Sequence, residues 1–258
     1  MRLSNEFLEI PLAHRGLHDQ TRDCPENSRT AVRAAVEAGY GVEIDVQASL
    51  DGTAIVFHDR DLARLTGRSG SVRETPALDL RGMCLLGGRE TIPSLREILD
   101  LIAGRAPLLI EIKDRDGRYL RIEGTTERAV ADELRDYSGP VAVMSFHPGS
   151  VGQFGRLAPG IPRGLVGCDF ENPEFDGIAP SRRQAFRDYA ALETTGASFV
   201  SHDWRGLGAP AVASVRERGA DILCWTVRSP AEELVARRTA SNITFEGYRP
   251  DLECGRQT

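Results

Sequence analysis

Short apolar runs recur along this chain, and most end on a charged, imidazole or aromatic side chain. From Ile92 onward a segment with helical signals separates most of them from the next. The runs are Pro107–Lys113, Pro140–Phe146, Ile161–Gly167, Ala197–His202, Asp221–Val227 and Ile243–Phe245. Ser94 with Glu97 three residues on is a capping box, and Pro148, Pro210 and Pro230 begin later helices. Helices are expected over Arg121–Tyr137, Ser181–Thr194, Pro210–Arg218 and Pro230–Arg238. Strands that alternate with helices pair in parallel, because a parallel neighbour is reached only by a long crossover. The expected class is α/β, and 258 residues is the length of one (β/α)8 barrel, typically about 250 residues.

The first third is less regular. Leu8–Gly16 reads as a strand that stops at His14-Arg15-Gly16. Pro25–Ser28 opens a helix that Asn27 or Ser28 can cap, Ala31–Ala38 propagates it, and Gly39 ends it. Gly41–Val46 and Thr53–Phe57 are then two strands joined by a turn at Asp51-Gly52, too short for a parallel crossover. Nine strands result, one too many for the barrel. The Glu43 strand is therefore expected to run on into a hairpin-like excursion, with one of the pair outside the barrel. Asp61–Glu90, rich in glycine and charge, reads as a small insertion or lid, and Asp169–Pro180 as a polar loop. The expected organisation is a single domain over residues 1–258, with an insertion at about 61–90.

A net charge of −6 argues against a nucleic-acid partner, whose phosphates call for excess Lys and Arg. No stretch approaches the ~20 apolar residues of a membrane span, so stable membrane insertion is not expected. The N-terminal stretch has no apolar core of signal-peptide length. The five cysteines are scattered, without a CxxC pair, which reads as reduced thiols and a cytoplasmic location. The sequence carries no warrant for or against an oligomer.

The polar residues at the strand ends are chemically selective. Period-two geometry puts Glu43 and Asp45 on one face of their strand, and Glu111 ends another. Three carboxylates on one rim suit a divalent cation with oxygen ligands, Mg2+ or Ca2+, or else salt bridges to Arg15 and Lys113. Of 32 basic residues, Lys113 alone is lysine, at a position two residues from Glu111. A compact ammonium there and a planar guanidinium at Arg15 suit a phosphoryl group, or only neutralise the carboxylates. All five histidines, His14, His18, His58, His147 and His202, fall at or just after expected strand ends, the working end of such barrels. His14 and His58 suit general acid and base. Phe146 and Trp225 either floor the pocket or pack in the core.

These residues sit in motifs: AHRG (Ala13–Gly16), PENS (Pro25–Ser28), VEIDV (Val42–Val46), VFHD (Val56–Asp59), IPSL (Ile92–Leu95), IEIK (Ile110–Lys113), MSF (Met144–Phe146) and CWTV (Cys224–Val227). Together, in this order, they resemble the glycerophosphodiester phosphodiesterase family across nearly the whole chain. The resemblance implies a barrel with a small insertion after the HD motif. It implies a metal at Glu43, Asp45 and Glu111, catalytic His14 and His58, and Arg15 and Lys113 at the phosphate. It also implies a small-molecule glycerophosphodiester as substrate, cleaved to glycerol 3-phosphate and an alcohol. Lysophospholipids or other phosphodiesters are the alternative, and a non-catalytic phosphodiester-binding barrel a third. The chain departs from the pattern at Arg228, where many relatives have Asn. It departs again at Thr244–Gly247, where many have Thr-Asp. Neither departure is expected to touch the catalytic set.

Overall fold

The computed structural model describes residues 1–113 and 122–252. Nine strands form one sheet: β1 (Leu12–Ala13), β2 (Gly41–Ala48), β3 (Ala54–Val56), β4 (Leu108–Ile112), β5 (Val141–Ser145), β6 (Arg163–Gly167), β7 (Phe199–Asp203), β8 (Asp221–Val227) and β9 (Asn242–Phe245). All except β3 are parallel to their neighbours. The order β1-β9-β8-β7-β6-β5-β4-β2 is closed by a β1–β2 pairing, an eight-stranded barrel. The ninth strand is the expected excursion. β2 runs past the barrel, turns at Gly52 (φ +82°) and pairs antiparallel with β3, Val46 opposite Val56 and Ala48 opposite Ala54.

Helices cover the barrel between strands: α1 (Asn5–Glu9), α2 (Arg29–Glu37), α3 (Ala63–Thr66), α4 (Ala77–Arg81), α5 (Leu95–Ile102), α6 (Thr125–Leu134), α7 (Pro148–Leu157), α8 (Pro180–Arg187), α9 (Leu192–Thr195), α10 (Pro210–Glu217) and α11 (Pro230–Ala236). Their starts are the capping signals of the sequence. The Ser28 hydroxyl accepts from Ala31 N–H, and Ser94 and Glu97 close a capping box. Outward-facing Val42, Ile44, Ile110, Val200 and Ile222 pack against these helices in the main core. Inward-facing Leu12, Leu109, Ala142, Val166, Phe199 and Leu223 fill the barrel.

Four expectations are corrected. The first strand is Leu12–Ala13 only. Leu8 belongs to α1, whose Phe7 joins Leu3 in the barrel's inner cluster, and Asn242 Nδ2 donates to the carbonyls of Phe7 and Ile10 at 2.9 and 2.6 Å. Burying Phe7 there is worth about 2–3 kcal/mol, which no two-residue extension of β1 would return. Ser181–Thr194 is two helices, parted near Tyr189 at φ +50°. The Asp169–Pro180 loop is not simply polar: Phe170, Phe175 and Ile178 are buried in it. The expected helix over Arg121–Tyr137 begins at Thr125, and Arg121 lies outside the described residues.

The segment between β3 and α5 carries its own apolar cluster, in which Leu62, Leu65, Val72, Leu80 and Leu85 pack on Ile55, Phe57 and Ile92. No helix among the described residues is long and apolar enough to cross a membrane.

Candidate active site

The residues singled out above meet in a cavity of about 690 Å3, lined by His14, Arg15, Glu43, His58, Glu111, Lys113, Phe146 and Trp225. It opens at the C-terminal ends of the strands, where the backbone leaves the sheet and side chains turn inward. Carboxylate oxygens of Glu43, Asp45 and Glu111 lie within 4.8 Å of one another, the arrangement that pairing Asp45 with Glu111 across β2 and β4 produces. Lys113 Nζ bridges two of them, 2.7 Å from Glu111 and 2.8 Å from Asp45.

The HRG turn supplies the next layer. Arg15 is left-handed (φ +57°), which aims its own N–H at Glu43 Oε2, 3.1 Å away, and its guanidinium back along β2. That guanidinium meets Glu26 at 2.6 Å and Asp45 at 3.3 Å. Gly16 follows at φ +80°, with Ala31 so close that a Cβ would stand 2.7 Å from its carbonyl carbon. Glycine is required there on both counts, and α2 can seat against the turn only because it is present.

The PENS motif does more than start a helix. Ser28 is the cap, whereas Asn27 donates through Nδ2 to Asp45 at 2.9 Å and accepts from the Asp45 N–H at 3.3 Å. Glu26 is buried between Arg15 and Arg64 of α3. Beyond β2, Gln47 Nε2 donates to the carbonyls of Phe57, His58 and Asp59 and so fixes the HD turn. His58 Nδ1 lies 2.7 Å from Asp59, and Arg64 holds Asp59 at 2.6 Å.

Electrostatics follow from burial and charge count. Among the described residues, the three carboxylates face two cations, Lys113 and Arg15. Burial, with Asp45 and Glu111 nearby, drives the Glu43 carboxyl well above the usual carboxylate range. Burial would raise Asp45 too, but Lys113, His58 and Arg15 hold it well below that range. Burial would lower Lys113, yet Asp45 and Glu111 outweigh it and keep the ammonium charged. Burial lowers His14 to about 4, against the hydrogen bond it makes to Glu246.

The five histidines divide. His14 and His58 line the cavity. His18 lies beside it, 3.8 Å from Glu246. His147 instead caps α7, accepting from Gly149 N–H at 2.9 Å. His202 faces the helical layer, where Tyr189 Oη is 2.5 Å from its Nδ1. Phe146 and Trp225 stand in the cavity wall with ring centroids 5.7 Å apart, and both also pack on the Phe170 and Phe175 cluster. Phe175 joins the wall from the loop that read as polar, and Arg60, Asp61 and Arg64 join it from the β3–α5 segment.

Glu246 was not expected in this group. Its Oε2 is 2.9 Å from His14 Nδ1 and 3.1 Å from Arg228. The expectation that the departures at Arg228 and at Thr244–Gly247 leave the catalytic set untouched is overturned. Parallel pairing of β1 with β9 sets Ala13 opposite Phe245, so the residues that follow them emerge side by side.

The profile of the glycerophosphoryl diester phosphodiesterase family matches residues 14–243. Glycerophosphodiester phosphodiesterases of Bacillus altitudinis and Caldanaerobacter subterraneus subsp. tengcongensis are 34% and 31% identical over 166 and 165 residues. Each match covers 61% of this chain and 66% of the relative, just under two thirds of its length. An Oleispira antarctica phosphodiesterase, solved in complex with the product sn-glycerol-3-phosphate, superposes with a TM-score of 0.77 at 24% identity. That match covers 97% of this chain and 98% of the other, and shows the shared fold.

Proposed function

The chain belongs to the glycerophosphoryl diester phosphodiesterase family, and we propose that it hydrolyses glycerophosphodiesters to glycerol 3-phosphate and an alcohol with the aid of a divalent cation. The observation that carries this reading is the meeting of three carboxylates, two cations and two histidines in one cavity. The donor set is all oxygen, from three clustered carboxyl groups, which fits a hard cation such as Mg2+ or Ca2+. Glu43, Asp45 and Glu111 would hold it, and when bound it would neutralise charge developing on the phosphoryl oxygens.

The remaining work falls to the chain's own groups. Arg15 and Lys113 present a planar fork and a point charge to the phosphate oxygens. Of His14 and His58, one accepts the proton of the attacking oxygen, that of water or of the substrate's own glycerol hydroxyl, and the other donates a proton to the departing alcohol oxygen, so the P–O bond breaks without releasing an alkoxide; in the second route water then opens the cyclic phosphate. Phosphoryl transfer needs positioning, charge neutralisation and proton transfer, and this set supplies all three. Phe146, Phe175 and Trp225 form an apolar wall for the glycerol or the leaving alcohol. The charged Arg60, Asp61 and Arg64 favour a small soluble diester over a long-chain one. The product in the Oleispira antarctica structure supports the same substrate class.

The test is release of glycerol 3-phosphate from glycerophosphocholine and glycerophosphoethanolamine by protein stripped of metal and then given Mg2+, Ca2+ or Mn2+. Turnover is expected only with added metal, and Glu43→Ala is expected to abolish it. Folded protein that turns over neither diester with any of the three overturns the substrate assignment. Equal rates with and without metal overturn the cation.

A further inference from the structure

The bond between His14 and Glu246 joins residues 232 apart in sequence, and barrel closure alone brings them together. Backbone hydrogen bonds fix both ends: His14 N–H donates to the Phe245 carbonyl at 2.9 Å, and Glu246 N–H to the Val227 carbonyl at 2.9 Å. The second element is Arg228, directly after β8. Its N–H donates to Glu232 at 2.5 Å, and its guanidinium reaches Glu246 Oε2 at 3.1 Å. A glutamate at a barrel rim is free to extend into water. This one is 27% exposed and holds an imidazole instead.

We propose that Glu246, held in place by Arg228, is the positioning residue for His14. It fixes the imidazole with its proton on Nδ1 and leaves Nε2 as the atom that exchanges protons with the substrate. A carboxylate can only accept, so the ring nitrogen facing it must be the donor. The other nitrogen, Nε2, then stands 4.0 Å from Glu43 Oε2, on the side of the acidic cluster. With Glu246 absent, the ring is free to rotate and to take either tautomer, and only a fraction of molecules present Nε2 correctly. Arg228 acts one step further out, by keeping Glu246 from turning to solvent. The inference rests on the reading of His14 as a proton-transfer group.

The experiment is steady-state kinetics of the full-length, metal-supplied protein on glycerophosphocholine, for Glu246→Gln, Arg228→Gln, His14→Ala and the double variant His14→Ala/Glu246→Gln. Glutamine keeps the size of Glu246 but can offer either an oxygen or an N–H to the ring, so it no longer dictates the tautomer. Glu246→Gln is expected to lower kcat about 10- to 100-fold with KM within about 2-fold, and Arg228→Gln to lower kcat several-fold. In the His14→Ala background, Glu246→Gln is expected to add nothing. Glu246→Gln with wild-type kcat, or with its full loss preserved in the His14→Ala background, overturns the proposal while leaving the reading of the active site intact. His14→Ala with wild-type kcat overturns that reading itself. A second readout needs no turnover: imidazole 15N shifts of His14 in the wild-type protein are expected to report a protonated Nδ1, and a protonated Nε2 with bare Nδ1 overturns the proposal.

Discussion

Nδ1 of His58 faces Asp59, its neighbour along the chain, at 2.7 Å, whereas Nδ1 of His14 faces Glu246, 232 residues away, at 2.9 Å. Both carboxylates are clamped by an arginine, Asp59 by Arg64 and Glu246 by Arg228. The components match, but their construction differs. The His58 arm is local, made by a two-residue motif, by Gln47 and by the first helix after β3. The His14 arm depends on the barrel closing, since its imidazole and its carboxylate come from the first and last strands. The His58 side chain is 31% exposed and that of His14 14%. One arm is tied to the β3–α5 segment, the other to the pairing of the first and last barrel strands.

The largest effects should come from removing the rings. His14→Ala and His58→Ala are each expected to lower kcat about 10²–10⁴-fold, the usual range for a general acid or base. Steady-state rates with saturating metal check this. A variant that keeps the wild-type rate removes its arm from the chemistry and breaks the comparison.

The unequal construction explains what could be read from the sequence. Glu43 and Asp45 were legible because period-two geometry needs only one strand, and the Glu111–Lys113 pair for the same reason. His58–Asp59 was legible because both partners are adjacent. Glu246 and the bracing role of Asn27 were not, because each depends on how separate elements pack, and Arg64 was not, because its clamp needs the short helix α3 to turn it back onto Asp59 and Glu26. His147 and His202 show the converse failure. They end expected strands as His14 and His58 do, yet the barrel strands are buried on both faces, so the apolar pattern does not say which way a given side chain points. Parity counted from the register would have said it. Ser201 and Val200 alternate along β7, and His202 shares the outward face of Val200, which packs in the helical core. The short β1 was overread because Leu8 and Ile10 continue its apolar run, while the need to fill the barrel's inner cluster with Phe7 is a tertiary matter.

His202 also offers the next-largest prediction, as a rim histidine with no role in the cavity. Burial lowers it to about 4, below its ordinary value of about 6.5. Above pH 6.5 the ring is neutral in both folded and unfolded chains, and its contribution to stability is complete. Between pH 6.5 and 4 the unfolded chain takes up the proton first, so stability is lost as pH falls, by about 3 kcal/mol in full. Urea unfolding at pH 7, 5.5 and 4.5 should show a drop in the wild type that is smaller by about that amount in His202→Gln. Glutamine can still accept from Tyr189. Equal drops in the two proteins would mean that the ring protonates freely in the fold. This result would sharpen the comparison by separating a histidine packed in the helical layer beside Tyr189 from two whose Nδ1 faces a carboxylate.

The smallest effect tests the claim that the His58 arm is tied to the β3–α5 segment. Arg64 is 46% exposed, yet it pairs with both Asp59 and the buried Glu26, and Glu26 in turn holds Arg15. Arg64 is itself half-exposed and the buried Glu26 keeps Arg15 as a partner, so Arg64→Met should cost about 1 kcal/mol of stability. It nevertheless releases two carboxylates at once. Asp59 loses its clamp, and Glu26 is left, among the described residues, with Arg15 as its paired cation, drawing that guanidinium toward itself and away from the phosphate. The expected result is a several-fold fall in kcat/KM, with the melting temperature lowered by only a few degrees. Arg228 also lines the cavity, but Arg228→Gln on the other arm should act mainly on kcat, because the carboxylate it holds contacts His14 and not Arg15. A fall in kcat/KM that is mostly KM for Arg64→Met, beside one that is mostly kcat for Arg228→Gln, is the signature of two arms with different duties. The same pattern in both variants would make them equivalent, and the difference in their construction would then have no bearing on the reaction.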